Sequence, residues 1–181
     1  MGTDRSGITA DYRRACLELE TTLARAGDAE LRRRSTGTRW SNEELMFHMV
    51  FGYMVVQALL PLVKFFGHLP PSVGRAFSRL LNAGTRSFDA VNYWGSRAAG
   101  LVYNRHRMVR KLERVTASLA RSLARETEKS LSLKMALPTR WDPFFAPKMT
   151  VAEVYAYPTL HFDFHARQLS LSFGDRPATG L

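Results

Sequence analysis

Two helix-start signals, far apart in the chain, constrain the fold most strongly. Ser41 is followed three residues later by Glu44, and Thr150 is followed in the same way by Glu153. This spacing is typical of a capping box, in which each of the two residues satisfies a backbone N–H of the other at the first turn of an α-helix. Apolar residues at helical spacing follow both signals. The sequence therefore predicts one helix that begins near residue 41 and another that begins near residue 150.

Apolar periodicity predicts two further long helices. The four expected helices span about residues 8–34, 41–60, 97–131 and 150–171. Four long helices without a convincing strand pattern predict an all-α fold, a four-helix bundle that forms a single domain over residues 1–181.

Proline and glycine interrupt this pattern at identifiable places. Segment 61–96 is rich in proline, glycine and aromatic residues, so we expect short helices and loops inserted between the second and third helices. Pro61 is expected to bend or end the second helix, and Pro158 to kink the fourth one turn before His161.

Composition narrows the class of protein. The chain has 181 residues, of which 45% are hydrophobic, and this balance is ordinary for a globular domain. Its one cysteine excludes an internal disulfide and a cysteine-cluster zinc site. We therefore expect the protein to be located in a reducing cytoplasm. The longest apolar stretch, Met49–Val63, is too short for a membrane span and is expected to be a buried helix.

The formal net charge is +10, which favours anionic partners or reflects a solvated basic exterior. Several arginines flank the expected third helix, so binding of nucleic acid or an anionic membrane through that face is one hypothesis. No recognised DNA-reading motif supports specific nucleic-acid binding.

Three histidines form the main candidate site. His161 and His165 stand four residues apart, which places both on one face of the fourth helix. His48 lies on the expected inward face of the second helix, between Leu45 and Gly52. In a bundle these rings could meet as a three-histidine metal site with open coordination positions, although core packing also explains such histidines. Gly52 could leave room for an approaching group or allow close helix packing.

Several segments together resemble the DinB/YfiT-like family of bacterial metal-binding four-helix bundles. Trp40-Ser-Asn-Glu-Glu-Leu-Met-Phe-His48 is similar to the start of that family's second helix. Thr150-Val-Ala-Glu-Val, followed by His161, His165 and Gln168-Leu169, is similar to its last helix. Asn92–Ser96 and the loop Trp141–Phe145 resemble segments of the actinobacterial branch.

The resemblance implies a divalent ion, such as Zn, Ni, Co or Fe, on His48, His161 and His165. It also implies homodimers and a small-molecule substrate. The implied activity is that of a thiol S-transferase using mycothiol or bacillithiol as cosubstrate, or of a related metal-dependent hydrolase or isomerase. Arginines could bind carboxylates of an anionic substrate. The alternative is a non-catalytic bundle that binds a metal or another ligand.

Three further residues are candidates for positions around the ion. Gln168 lies seven residues after His161 on the same helix face, but a polar residue at the end of the bundle would also explain it. Glu44 lies one turn before His48 and could orient its ring, although helix capping already accounts for it. Asp142 is expected to cap a turn before Pro143 and is a third candidate neighbour of the site.

Overall fold

A computed structural model describes residues 2–98 and 105–172 in full, together with the helical backbone of residues 99–102. The described chain is mostly helical, which confirms the all-α prediction. The helices are α1 (Arg5–Arg25), α2 (Asp28–Arg32), α3 (Asn42–Gly67), α4 (Pro71–Ala83), α5 (Thr85–Val102), α6 (Arg105–Arg125), α7 (Glu128–Leu131) and α8 (Val151–Ala166). Two short strands, β1 (Lys134–Met135) and β2 (Met149–Thr150), pair antiparallel just before α8.

Four helices enclose the main core. Helix α3 packs against α8 and α6, and α1 packs against the same two helices from the other side. Each of the four contributes fully buried apolar side chains, so the core is continuous between them. Representative members are Tyr12 and Leu19 from α1, Val50 and Val56 from α3, Leu112 and Leu119 from α6, and Val154 and Phe162 from α8.

Both predicted capping boxes are present. The Ser41 hydroxyl accepts a hydrogen bond from the Glu44 backbone N–H, and the Glu44 carboxylate accepts one from the Ser41 backbone N–H at 2.9 Å. Thr150 and Glu153 make the same reciprocal pair at the start of α8. These contacts fix the first turns of the two helices that carry the histidines.

The second helix does not end at residue 60, because α3 runs through Pro61 to Gly67. Proline removes the hydrogen bond to the Gln57 carbonyl, but Gln57 and Pro61 both lie on the exposed side of the helix. Water can therefore satisfy that carbonyl, while the buried Leu60 and Val63 hold the following turn against the core.

The predicted helix over residues 8–34 is two helices, α1 and α2. Ala26 and Gly27 are extended between them, and the Gly27 N–H donates to the Glu30 carboxylate at the start of α2. Acidic side chains in this first turn favour a new helix start there, a signal that the apolar periodicity hid.

The observed secondary structure differs more strongly from the prediction in residues 61–96 and 97–131. The segment expected to hold short helices and loops is mostly helical, since it contains α4 and most of α5. The expected third helix is divided among the end of α5, α6 and α7. Thr127 caps α7 by accepting a hydrogen bond from the Ser130 N–H, which separates that helix from α6.

The predicted fourth helix also ends early, at Ala166 instead of residue 171. The segment after it leaves the helix because other parts of the chain bind its backbone. The Thr36 N–H donates to the Gln168 carbonyl at 2.8 Å, and the Ser170 N–H donates to the Asn42 side chain. This segment therefore runs back along the start of α3.

Within α8, Pro158 lies inside a continuous helix. The Tyr12 hydroxyl donates to the Tyr155 carbonyl at 2.6 Å, and the hydroxyls of Tyr53 and Thr159 are 3.1 Å apart. Buried hydroxyl groups thus surround the turn in which proline cannot donate a hydrogen bond. The kink predicted at Pro158 stays a prediction.

Helix α3 is the one described helix that is long and apolar enough to cross a membrane. Length and composition alone are weak evidence for a span, because the central helices of folded cores pass the same test. Here α3 packs against α5, α6 and α8 and buries most of its first five turns.

Asn42 joins three segments at the start of α3. It is fully buried, its side-chain amide donates to the carbonyls of Glu30 and Ser170, and its oxygen accepts from the Ser170 N–H. The same side chain therefore connects α2, α3 and the segment after α8, and helps to place Gln168 beside the histidines.

We expect Asn42→Ala to lower the free energy of unfolding by about 2–3 kcal/mol, because it leaves buried backbone groups without partners. Urea unfolding followed by circular dichroism measures the change. Asn82→Ala is the control, since Asn82 makes one exposed hydrogen bond to the Arg140 N–H, and it should cost less than about 1 kcal/mol. Equal losses in the two variants would contradict this assignment.

Candidate metal centre

Two helices supply the three histidines predicted as ligands. His48 lies in the second turn of α3, and His161 and His165 lie one turn apart in the second half of α8. Because the capping boxes fix the register of both helices, all three side chains enter the space between α3 and α8. The structure therefore brings together the three residues that the sequence singled out.

The three rings form a nearly equilateral triangle. Ring centroids are 4.9 Å apart for His48 and His161, 4.7 Å for His48 and His165, and 4.6 Å for His161 and His165. One nitrogen from each ring lies within 4.8 Å of the others, and the Nε2 atoms of His48 and His161 are 3.2 Å apart. The three nitrogens are close enough to share one cation.

Burial keeps these imidazoles neutral. His48 is 6% exposed and His161 is 4% exposed, while His165 is half-buried. The pKa of His48 is lowered to about 3, mainly by burial and also by the neighbouring His165, while Asn92 acts in the opposite direction. Burial also lowers the pKa of His161 and His165. At neutral pH the rings therefore carry the lone pairs that a metal ion requires.

Gly52 makes room for His161. A Cβ atom at residue 52 would lie 2.6 Å from His161 Nδ1 and 3.0 Å from its Cε1, closer than side chains pack. Gly52 was expected either to leave room for an approaching group or to allow close helix packing. Both descriptions apply, because α3 and α8 pack closely here and the approaching group is the His161 imidazole. The missing side chain lets His161 reach His48.

Gln168 and Glu44 behave differently toward the histidines. His165 Nδ1 donates to Gln168 Oε1 at 2.7 Å, which leaves Nε2 of that ring unprotonated and able to bind a cation. The Glu44 carboxylate instead accepts from the Ser41 N–H and pairs with Arg97 at 3.4 Å. Gln168 thus orients a candidate ligand, whereas Glu44 serves the helix start.

Asp142 lies beside the histidine cluster. Its Oδ2 atom is 3.6 Å from His161 Nε2, and its Oδ1 atom accepts from the Phe144 N–H at 2.8 Å. Burial raises the pKa of this carboxyl, and interactions with the Phe144 N–H, Tyr157 and His165 partly offset that rise. Burial and Asp142 also raise the pKa of Tyr157, whose phenol stays protonated. Asp142 is therefore held in place with one oxygen directed at the cluster.

Aromatic rings form most of the wall of the cavity above the cluster, which has a volume of about 160 Å³. Trp40 stacks on His48 at 4.4 Å between centroids, and Phe88 stacks on Trp141 at 4.0 Å. The Trp141 indole is fixed by its hydrogen bond to the Leu81 carbonyl. Asp142 is the only carboxylate among the described residues that line this cavity, and they include no lysine or arginine.

A second cavity, of about 410 Å³, adjoins the cluster. It shares Trp40, Asn92 and His165 with the aromatic cavity, and its other walls include Arg39 and Gln168. His165 thus lies between the aromatic cavity and a more polar one, which is lined by the guanidinium group of Arg39 and the carboxylate of Asp89.

Sequence reasoning missed several of these roles. The contact of Trp40 with His48 and the places of Tyr157 and Phe88 in the cavity wall were not predicted. Asn92 and Trp141 lie in the two segments that the family resemblance had marked, which is the signal that could have found them.

Comparison with known proteins adds no relative, since no family model, curated protein or solved structure matches this chain.

We expect Gly52→Ala to displace the His161 ring, lower the free energy of unfolding by about 1–3 kcal/mol, and weaken binding of Zn²⁺ or Ni²⁺ to the chain. Chemical denaturation and metal titration measure the two effects. Gly95→Ala is the matched control, because a Cβ atom there would meet nothing within 4 Å in an exposed part of α5. If Gly52→Ala bound metal and resisted denaturant like the unmodified chain, the packing argument would be wrong.

Proposed function

We propose that this chain is a divalent-metal-dependent enzyme of the DinB/YfiT-like type, a four-helix bundle with its ion on His48, His161 and His165. The observation that carries the proposal is the convergence of three neutral, mostly buried imidazoles from two helices. The family motifs in the sequence support it independently, because the residues they mark as ligands are the ones that converge.

The donor set fits such an ion. Two nitrogens bound at 2.0–2.1 Å to one ion, as in zinc sites, lie about 2.9–3.4 Å apart for angles near 90–109°. The 3.2 Å between His48 Nε2 and His161 Nε2 falls in this range. Without a cation, at most one hydrogen bond can form between these two nitrogens. Imidazole donors suit Zn, Ni, Co or Fe.

A bound ion would supply Lewis-acid chemistry, which lowers the pKa of a coordinated thiol or water. Asp142 is the residue placed to receive the proton that is released, at Oδ2. Its other oxygen is held by the Phe144 N–H, and burial strengthens the carboxylate as a base by raising its pKa. The aromatic wall of Trp40 and Trp141 excludes water from the nucleophile.

The two cavities suit two reactants of different polarity. The aromatic cavity, without lysine or arginine, fits an apolar electrophile, and the neighbouring cavity offers Arg39 to a carboxylate of a polar cosubstrate. We therefore propose transfer of a low-molecular-weight thiol of the mycothiol or bacillithiol type. The sulfur would bond to the electrophilic carbon as the bond from that carbon to its leaving group breaks. The thiol proton would pass to Asp142, and the leaving group would depart with the bonding electron pair. Hydrolysis or isomerisation would use the same base.

A structural ion is the second candidate function. His48 belongs to α3 and the other two histidines to α8, the pair of helices with the most extensive contact. An ion bound between them would connect the two helices through coordinate bonds. It would raise the free energy of unfolding without catalysing a reaction.

We expect the purified chain to bind one divalent ion, and His161→Ala to lower its affinity by more than about 100-fold, because a buried ligand is lost. Elemental analysis and isothermal titration with Zn²⁺ and Ni²⁺ measure this. His106→Ala, at an exposed position on α6, is the control and should bind normally. Full metal content in His161→Ala would refute the site.

We expect Asp142→Asn to keep its metal but lose about 10²- to 10⁴-fold in kcat for conjugation of a thiol to an aromatic electrophile. Asp163→Asn is the control, since Asp163 is paired with Arg14 on the outer side of α8. If the metal-loaded chain catalyses neither conjugation nor hydrolysis, and metal removal only lowers Tm, the structural ion is the correct assignment.

A further inference from the structure

Exposed apolar side chains are concentrated in one stretch of the chain. Eight large apolar side chains in the described residues are strongly exposed, and six of them lie between residues 62 and 94: Leu62, Phe65, Val73, Leu80, Val91 and Trp94. Leu80, Val91 and Trp94 are each more than 60% exposed. Scattered apolar residues on a surface are normal, but a concentration of this kind marks a binding surface.

These side chains follow helical spacing along α4. Val73, Ala76, Leu80 and Ala83 recur at three or four residues and are all exposed. The opposite face of α4 is already packed, since Ser78 donates to the Leu137 carbonyl and Phe77 stacks on Phe66. The outward apolar stripe of α4 is therefore additional to the face that the fold uses.

Helix α5 repeats the arrangement. Val91 and Trp94 are exposed, while Phe88 of the same helix stacks on Trp141. The Trp141 indole also donates to the Leu81 carbonyl of α4, so both helices pack on the same ring. We call the exposed apolar side chains of α4 and α5, together with Leu62 and Phe65 at the end of α3, the α4–α5 surface.

Positive charge accompanies the exposed apolar residues. Residues 61–98 contain one acidic residue, Asp89, against five basic residues. Lys64 and Arg97 pair with Glu126 and Glu44, and the exposed Arg75, Arg79 and Arg86 supply the positive charge of this surface. Helices that combine exposed Leu, Val and Trp side chains with flanking arginines are suited to the boundary between lipid headgroups and acyl chains. Arginines at that depth attract anionic headgroups.

We propose that the α4–α5 surface docks this protein on the surface of an anionic lipid bilayer. A second copy of the chain is a poor occupant, because pairing this surface with itself would bring Arg75, Arg79 and Arg86 of both copies together. Nucleic acid would use the arginines but leave Leu80, Val91 and Trp94 without a role. Lipid satisfies both features at once. The inference goes beyond the metal site and does not depend on it.

Docking in this way would also place the aromatic cavity near the bilayer. Phe88 and Asn92 of α5 line that cavity, and Val91 and Trp94 are exposed on the same helix. One helix therefore contributes both to the cavity wall and to the surface that would meet the lipid.

The test is sedimentation of the full chain with vesicles of phosphatidylcholine alone and of phosphatidylcholine mixed with phosphatidylglycerol. We expect binding to the anionic vesicles that weakens as salt is added, and much weaker binding to the neutral ones. Tryptophan emission should shift to the blue on binding, and Trp94→Phe should remove most of that shift because Trp94 is the exposed tryptophan. Absence of binding to anionic vesicles would overturn the proposal.

Matched variants distinguish binding through the α4–α5 surface from nonspecific binding to vesicles. Leu80→Ser should weaken binding several-fold, whereas Leu17→Ser, at a similarly exposed position on α1, should not. Arg75→Gln with Arg79→Gln should weaken it about tenfold or more, whereas Arg110→Gln with Arg114→Gln on α6 removes the same charge and should have little effect. All four variants should show the unmodified Tm, since the changed side chains are exposed.

Two results would overturn the assignment even if vesicles bind. Equal losses in the α4 and α6 arginine variants would show that net charge alone drives the attraction. Tighter binding to duplex DNA than to anionic vesicles, unaffected by Leu80→Ser, would identify nucleic acid as the partner instead.

Discussion

The burial of three imidazole rings between α3 and α8 is the constraint on which the rest of this structure depends. Imidazoles can be buried together only if they stay uncharged, and the low pKa of His48 reflects that requirement. The rings also need a reason to be close, since apolar side chains would fill the same space without unpaired nitrogens. The cation proposed above would supply that reason, and the two capping boxes fix where the helices that carry the rings begin.

Different kinds of side chain lie on different sides of the histidine cluster. Asp142 is the nearest carboxylate and is held by a backbone N–H, while Gln168 fixes the ring of His165 from the end of α8. Aromatic rings occupy the side toward α5 and the loop that carries Trp141. A buried carboxylate, an oriented imidazole and an apolar cavity around one cluster would suit the proposed metal-dependent transfer reaction, whereas a purely structural ion would need neither the carboxylate nor the cavity.

Local signals predicted part of this architecture, and long-range contacts determined the rest. The starts of α3 and α8 and the shared face of His161 and His165 follow from residues close together in sequence, so they were predictable. The end of α8 was not, because it depends on Asn42 and Thr36, which lie far away in the chain. The place of Phe88 in the cavity wall likewise depends on how α5 packs, which no periodicity encodes. The helix was predicted to end at residue 60 because Pro61 cannot donate a hydrogen bond to the Gln57 carbonyl. Both residues lie on a solvated face of the helix, where water can satisfy that carbonyl, so α3 continues.

Gly52 has a consequence for how this chain can evolve. A side chain at residue 52 and an imidazole at residue 161 compete for the same volume, so neither position can drift alone. In a lineage that abandoned the cluster, the histidine would have to be replaced by something smaller before the glycine gained a methyl group. Homologous chains should therefore keep or lose the pair together, and that covariation would be visible in sequences even where no structure is known.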